Sequence, residues 1–486
     1  MRKVALCIVC LALVLVGMTF LPCIHLATAQ DKQAPQKGTA AKLQDVVVTG
    51  PRSERAADEI VAQVSVVDRE EIRDMPVTTW DDILKYQSGI YVEKPRDLSA
   101  LSSMNMPTIR GMGGAGNNLL LLDGFPLMNP VSGWLTGNSV PSGLISRVEV
   151  VKGPNSSLYG SSAMGGVMNI ITKDAKGKKW ETDLKGRYGN YGYWEAGGDA
   201  ANDFGAGSLS MGYLHREADN YKRRDKDGRS VLYPGAKRAV TVEHDVENVY
   251  TRADMVHVRG SWDINSKNKV NLIALANKAK QGGGWSTYVD NLDKYTKEDD
   301  FFVGIRSNHS LGNDYDLSLG FYTNYVKADR KREDMLTVDG TTSYFPDRQL
   351  VTGQEFGFQA KLLKPLAKWC VATLGADFNY IKASWEYTRL DNGETFTDVS
   401  KSINNIAPYL QLETSFFDSR LLITPGIRAD FHSQAGNAVS PKLGVRYNFT
   451  KDLAVRASVG RAFRAPTIRE LYMPAWMMRA GGPFMG

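Results

Sequence analysis

From Trp180 to Phe463 the chain repeats one local pattern, in which apolar and polar residues alternate with period two. Leu317, Leu319 and Phe321 alternate with Ser318, Gly320 and Tyr322, and Leu443, Val445, Tyr447 and Phe449 alternate with Lys442, Gly444, Arg446 and Asn448. Leu453, Val455, Ala457 and Val459 do the same against Ala454, Arg456, Ser458 and Gly460. Successive side chains of a strand point to opposite faces, so the pattern makes strands with one apolar face. The other face carries Arg, Lys, Asn and Gly, which suits a polar lumen. The connections alternate too. Short turns at Asn265–Asn268, Gly312–Asp314, Pro365–Lys368, Phe417–Arg420 and Lys451–Asp452 are interleaved with mostly longer polar segments. Those segments lie near Ala218–His244, Gln281–Glu298, Lys331–Leu350 and Arg389–Ser400, with a brief one near Gln434–Asn437. Transmembrane antiparallel barrels have short periplasmic turns and longer outer loops in this order, whereas a soluble sandwich follows no such rule.

About thirteen strands are expected in this stretch, rising on odd numbers and descending on even ones. An odd count leaves the last strand on the outer side, with Arg464 to Gly486 reading as loop. An unclosed edge in lipid exposes backbone groups that cost several kcal/mol each, so the expectation is that further strands follow Gly486.

The compartment is read from the N-terminus. Arg2 and Lys3 precede an apolar run from Val4 to Leu21, and Ala27-Thr28-Ala29 forms an A-x-A-like cleavage site. This predicts a secretory signal peptide over residues 1–29. A transmembrane helix and a lipoprotein site at Cys23 are the alternatives; the small-residue cleavage site argues against the first and Pro22 against the second. Cys7, Cys10 and Cys23 leave with the signal, and Cys370 alone can form neither an internal disulfide nor a thiolate metal cluster. The mean hydropathy of −0.30 would suit a soluble protein. A barrel alternates lipid-facing with lumen-facing residues, so its average stays low. The net charge of +6 singles out no partner.

Residues 30–60 read as a polar periplasmic tether interrupted by one β-prone pentapeptide, Asp45-Val46-Val47-Val48-Thr49. A strand this short is unstable alone and is a candidate to add to another sheet's edge. Residues 61–175 predict a compact mixed α/β domain. Strands are expected at Val64–Val67, Ile90–Val92, Asn118–Leu122, Arg147–Val151 and Val167–Thr172, and Thr79 with Asp82 caps a short helix that runs to Gln87. Residues 180–486 form the partial barrel.

These features resemble the TonB-dependent outer-membrane receptor family, of siderophore and cobalamin receptor type. Asp45–Thr49 looks like the TonB box. Ile109-Arg110-Gly111, Leu122-Asp123-Gly124 and Arg147 to Pro154 resemble successive plug motifs, and Ser157-Leu158-Tyr159-Gly160 with Ala163 to Thr172 resembles the plug's closing segment. Phe463 to Tyr472 resembles a segment that members carry partway round the barrel, while Lys152 stands where many members have Arg. The resemblance implies a mainly β fold, a transmembrane antiparallel barrel of about 22 strands with an N-terminal plug domain, so that about nine strands would lie beyond this sequence. It also implies import of a scarce metal chelate, by a protein of the Gram-negative cell outer membrane bedded in outer-membrane lipid. The energy would come from TonB with ExbB and ExbD. No cofactor, nucleic acid or enzymatic activity is implied.

Gly111-Met112-Gly113-Gly114-Ala115-Gly116 fits G-x-G-x-x-G, but the apolar run Leu119–Leu122 follows where a nucleotide site needs a helix. Haem requires an axial ligand, and no histidine lies between Leu26 and Leu214 or after Phe463; His215, His244, His257, His309 and His432 fall in the barrel or its loops. The family's plug cations are matched by Arg110 and Lys152, with Glu355 and Glu413 on the lumen phase as candidate barrel partners; solvated charges in a wet lumen are the alternative. For the ligand, Met104, Met106, Met128, Trp134, Trp285 and Tyr288 lie in segments expected at the outer face, and their side chains suit a bulky amphipathic chelate. An iron–siderophore is the first expectation, a corrinoid the second, haem a distant third. A passive channel or adhesin and a barrel hydrolase are the competing classes; neither needs a plug or a TonB box.

Overall fold

The computed structural model describes residues 47–48, 55–56, 61–92, 107–134, 140–177, 179–190, 192–219, 250–282, 295–312, 314–338, 341–390, 393–450 and 453–472. The signal segment and the sequence-predicted loop segments at Ala218–His244 and Gln281–Glu298 lie wholly or mostly outside them.

Two short strands come first, β1 (Val47–Val48) and β2 (Arg55–Ala56), paired antiparallel with Val47 opposite Ala56. Val47 and Val48, the described part of the pentapeptide expected to add to another sheet's edge, thus have a ladder partner within their own tether. The plug-type domain follows with β3 (Gln63–Val67), α1 (Arg69–Asp74), β4 (Ile90–Tyr91), β5 (Thr108–Ile109), β6 (Asn118–Leu122), β7 (Phe125–Pro126), β8 (Ile145–Lys152), α2 (Ser156–Tyr159) and β9 (Gly166–Thr172). Helix α1 was not expected, although Asp68 and Glu71 form a capping box in which the Asp68 carboxylate accepts from the Glu70 and Glu71 amides. The turn after Thr79 is a 3₁₀ helix, Trp80–Leu84, shorter than predicted, with the Asp82 carboxylate accepting from the Thr78 and Thr79 amides.

Five of these strands form one sheet in the order β3-β8-β9-β6-β7, with β6 and β9 parallel and the rest antiparallel. The run Asn118–Leu122 is buried at every position, as a strand covered on both faces requires. Leu120, Leu122, Val148, Val150, Met168 and Ile170 pack on one face with Trp80, Ile83 and Leu84. Leu119, Leu121, Val151 and Val167 pack on the other with Leu158 and Tyr159.

The second sheet has thirteen strands in strict sequence order. They are β10 (Glu181–Tyr188), β11 (Trp194–Asp203), β12 (Gly207–Ala218), β13 (Thr251–Asn265), β14 (Asn268–Gly282), β15 (Tyr295–Ser310) and β16 (Asp316–Val338), then β17 (Thr341–Ala367), β18 (Cys370–Arg389), β19 (Thr395–Phe416), β20 (Leu421–His432), β21 (Gly436–Asn448) and β22 (Ala454–Gly460). All neighbouring pairs are antiparallel, and among the described residues β10 and β22 do not pair with each other, so the barrel is not closed. Two expected loops are strand instead. Lys331 pairs with Arg348 and the ladder continues to Val338 opposite Thr341, while Thr395 to Ser400 belongs to β19. A short helix, α3 (Ile468–Tyr472), stands inside the stretch read as loop. Among the described residues no helix is long and apolar enough to cross a membrane, which leaves crossing by strands untouched.

Candidate functional site: the plug–barrel seam

The seam is built from polar side chains of the barrel's inner face reaching plug main-chain carbonyls. Arg187 donates to the Val77 carbonyl at 2.6 Å and Arg216 to the Thr78 carbonyl at 2.6 Å. Arg306 donates to the Asp123 carbonyl at 2.6 Å, Asn324 to that of Met128 at 2.7 Å and Arg428 to that of Leu158 at 3.3 Å. On the last strand Arg456 reaches the Ala62 carbonyl at 3.2 Å. Arg187 stands on β10 and Arg456 on β22, so both ends of the thirteen-stranded sheet touch the plug.

Three of these guanidinium groups, those of Arg187, Arg216 and Arg428, are held by barrel carboxylates. Glu195, on β11, is fully buried and takes Lys185 at 2.8 Å, Arg187 at 3.4 Å and Arg216 at 3.0 Å, together with the Tyr193 hydroxyl at 2.9 Å. Arg428 is fixed by Asp377 at 2.5 Å and Asp430 at 3.0 Å. Buried charges are tolerated when paired and hydrogen-bonded in this way.

Glycines make the close approach possible, and they do so from both sides. Leu122 and Phe125 close a two-residue turn in which Asp123 (φ 47°) and Gly124 (φ 81°) are both left-handed. A Cβ on Gly124 would stand 2.9 Å from the Arg306 guanidinium, and one on Gly160 (φ 73°) would stand 2.8 Å from that of Arg428. In return, Phe125 enters the barrel wall where Cβ atoms on Gly304 and Gly320 would stand 2.7 and 2.9 Å from its ring. It packs there against Phe302 and Tyr322, with Arg306 4.1 Å above its centroid.

A strap follows the thirteenth strand. The Ala465 amide donates to Ser161 at 2.9 Å, the Arg469 amide to the Val131 carbonyl at 3.0 Å, and fully buried Ile468 packs with Val131, Ala383, Trp385 and Ile403. Glu470 receives both Arg464, at 2.8 Å, and the Thr467 amide. This ties the segment Phe463–Tyr472 to the plug's upper loop.

The residues singled out from sequence are distributed as follows. Arg110 (φ 51°) bonds the Gln63 side chain and Lys152 donates to the Ser88 carbonyl at 2.6 Å, both within the plug. Burial and then the neighbouring Arg110 hold the Lys152 ammonium below its ordinary pKa. Glu355 accepts from Tyr322 at 2.8 Å and Asn379 at 3.2 Å, and Glu413 from Gln411 at 3.1 Å, all on the barrel. The contacts seen for these four groups therefore run inside each domain, and other residues bridge the seam. Met128 lies beside Asn324, lining a pocket with Leu127, Asn129, Leu275, Asn277, Asp300 and Phe302. Trp134 closes the same loop through its carbonyl, which accepts from the Asn129 amide. Met104, Met106, Trp285, Tyr288, Asp45, Val46 and Thr49 lie outside the described residues. Gly111–Gly116 forms turns leading into β6, with no helix behind them. Among the described residues no group of three or more His, Cys, Asp or Glu is placed to hold a metal ion.

Comparison with known proteins agrees with this architecture. The family "TonB dependent receptor-like, beta-barrel" matches residues 242–484, and "TonB-dependent Receptor Plug Domain" matches residues 56–167. The vitamin B12 transporter BtuB of Vibrio vulnificus is 24% identical over 433 residues, covering 88% of this chain and 64% of the transporter. The ferrienterobactin receptor of Escherichia coli is 24% identical, covering 83% of this chain and 60% of the receptor. Among solved structures, the ferric enterobactin receptor PfeA of Pseudomonas aeruginosa superposes with a TM-score of 0.67 at 17% identity, covering 84% of this chain and 63% of that one. The chain thus spans less than two thirds of the length of these relatives. With a clamped plug sheet, an ordered thirteen-stranded wall and family matches over residues 56–167 and 242–484, the chain belongs to the TonB-dependent receptor family, whose named relatives are transport receptors and not enzymes.

Proposed function

We propose that the whole protein is an energised importer of a scarce metal chelate across the outer membrane, working by displacement of the plug. The observation that carries this is the seam. A plug held by discrete polar bonds can be parted from its barrel and reseated, which a passive channel or an adhesin has no use for. In this reading TonB, driven with ExbB and ExbD, takes Asp45–Thr49 as an added strand. It must exchange with the β1–β2 ladder, because Val47 and Val48 are already paired with Ala56 and Arg55. The pull then reaches β3, which lies at the edge of the plug sheet.

For the cargo, an iron–siderophore remains the first reading, from the absence of plug histidines and the aromatic residues of the outer loops. A corrinoid is the second, supported by the similarity to the B12 transporters. Arg110 and Lys152 are read as plug-ordering cations, with their partnership to Glu355 and Glu413 reserved for another stage of the cycle. The test uses the full-length receptor and the Val47→Pro variant. Proline removes a donor and fixes φ, so pairing with TonB should fail while the apical loops stay intact. Binding of ferric enterobactin and of cyanocobalamin to outer membranes is measured beside accumulation in energised cells. Unchanged binding with lost accumulation is expected for one of the two; normal accumulation in the proline variant overturns the coupling role of Asp45–Thr49.

A further inference from the structure

One pocket lies where the plug loop Leu127–Asn129 meets the inner face of β14, β15 and β16. Its walls are apolar, with Leu127 and Met128 on the plug side and Leu275, Phe302 and Val326 on the barrel side. Three polar barrel residues, Asn277, Asp300 and Asn324, share it. The ladder sets them together. Asn277 stands opposite Asp300, Asp300 opposite Val326, and Asn324 opposite Phe302.

The amide donors of this group are committed. Asn324 donates to the Met128 carbonyl at 2.7 Å, and Asn277 donates to Asp300 Oδ2 at 3.2 Å. The Oδ1 atoms of Asn277 and Asp300 are both buried and accept no hydrogen bond among the described residues. Asn277 as a whole is 6% exposed. A buried acceptor left without a donor costs about 1–3 kcal/mol, so two of them in one pocket point to a ligand that brings donors.

The surroundings select the charge of that ligand. No lysine, arginine or histidine is among the described residues that line the pocket. Two residues nearer the start of β15, Glu298 is joined to Arg330 at 3.7 Å. An anionic group would meet the Asp300 carboxylate with no cation in the pocket to offset it. A bare divalent cation needs six or more oxygens, and no group of three acidic, histidine or cysteine side chains is placed to hold one among the described residues. The apolar walls ask for hydrocarbon. A methylene stem lying along Met128, Phe302 and Val326, with a terminal ammonium of three donors on the two oxygens, meets both demands.

We propose that this pocket receives a primary alkylammonium arm of the imported chelate, with Asp300 as the residue that selects its charge. This rests on the importer reading above and adds a preference, between otherwise identical chelates, for the one that carries such an arm. The probes are a ferric trihydroxamate with one free aminopentyl arm and the same chelate acetylated on that nitrogen. Both are titrated against the full-length receptor purified from outer membranes, as wild type, Asp300→Asn and Asp300→Glu. The wild type should bind the free-amine chelate about tenfold or more tightly than the acetylated one. Asp300→Asn should bind the two alike, with its affinity for the acetylated chelate unchanged, and Asp300→Glu should keep the preference. Heat-modifiable migration establishes that each barrel is intact. Equal binding of the two chelates by the wild type overturns the proposal, as does a preference that survives in Asp300→Asn. An equal loss for both chelates in that variant assigns Asp300 a structural role and overturns it too. Binding of neither chelate overturns the proposal alone, since the importer reading is judged by accumulation of ferric enterobactin and cyanocobalamin.

Discussion

The plug and the barrel wall solve opposite problems with the same element. The plug sheet is covered on both faces, so Leu119–Leu122 is a continuous apolar run and β8 is buried at every position from Val148 to Lys152. The wall packs against the plug with one face only, so Phe301, Ile305, Phe321, Phe356 and Phe358 stay exposed while Arg306, Glu355 and Arg428 turn inward. The difference teaches where the two can separate. Each region has its own hydrogen-bond ladder, and the join between them rests on directional polar bonds, the aromatic niche around Phe125 and apolar contacts such as Val131 with Ala383, Trp385 and Ile403. Cutting those bonds leaves both ladders whole.

The largest effect should come from Glu195. Replacing it with Gln leaves Lys185, Arg187 and Arg216 gathered around a neutral group, and breaking a buried charge cluster costs about 3–5 kcal/mol. Hydrogen exchange in the full-length receptor should show the plug segment around Val77 and Thr78 released at lower denaturant, with the β16–β19 ladder unchanged. Equal loss of protection in both regions would mean that they unfold as one body.

Gly124→Ala should be smaller. A left-handed non-glycine residue costs about 1–2 kcal/mol, and its Cβ also displaces the Arg306 guanidinium. Arg306→Ala in the same background should recover part of the loss. Strict additivity of the two substitutions would argue against a socket.

A sequence reading reached the thirteen strands because lipid enforces alternation on each of them. It did not see β16 and β17 continue to Val338 and Thr341, since above the membrane nothing requires the outward residues to be apolar. Lys331 opposite Arg348 therefore reads as loop. The plug strands were legible from their apolar residues, and the capping box of α1 in Asp68 and Glu71 is obscured in the sequence by the charged tether beside it. The seam was hidden for a different reason. Six of its acceptors are the main-chain carbonyls of Ala62, Val77, Thr78, Asp123, Met128 and Leu158, which have no side-chain signature. The plug motifs single out Arg110 and Lys152, whereas most of the bridging cations stand on the barrel, Arg69 of α1 with Glu181 of β10 being a plug-side exception. The glycines of Leu122-Asp123-Gly124 and Leu158-Tyr159-Gly160 were visible, but the guanidinium groups that need them come from strands far along the chain.

The smallest effect concerns pH. Burial and then Arg110 depress the Lys152 pKa below 10.5 in the folded plug, so the unfolded chain holds that proton more tightly. Plug stability should therefore rise with pH as the folded-state value is passed, and the gain should be complete once pH exceeds 10.5. In Lys152→Met the slope over this window should flatten. An unchanged slope would remove Lys152 as its source.

The central claim is that import requires the plug to part from the wall at this seam. Lys442 on β21 donates to the Asn155 side chain on the plug at 2.6 Å, which makes that pair the place to lock it. The full-length Asn155→Cys/Lys442→Cys receptor, joined quantitatively by a short thiol-reactive reagent that forms a disulfide with each cysteine, should bind its chelate at wild-type affinity and accumulate none in energised cells, with accumulation restored by reductant. Wild-type accumulation while the cross-link persists would contradict the account.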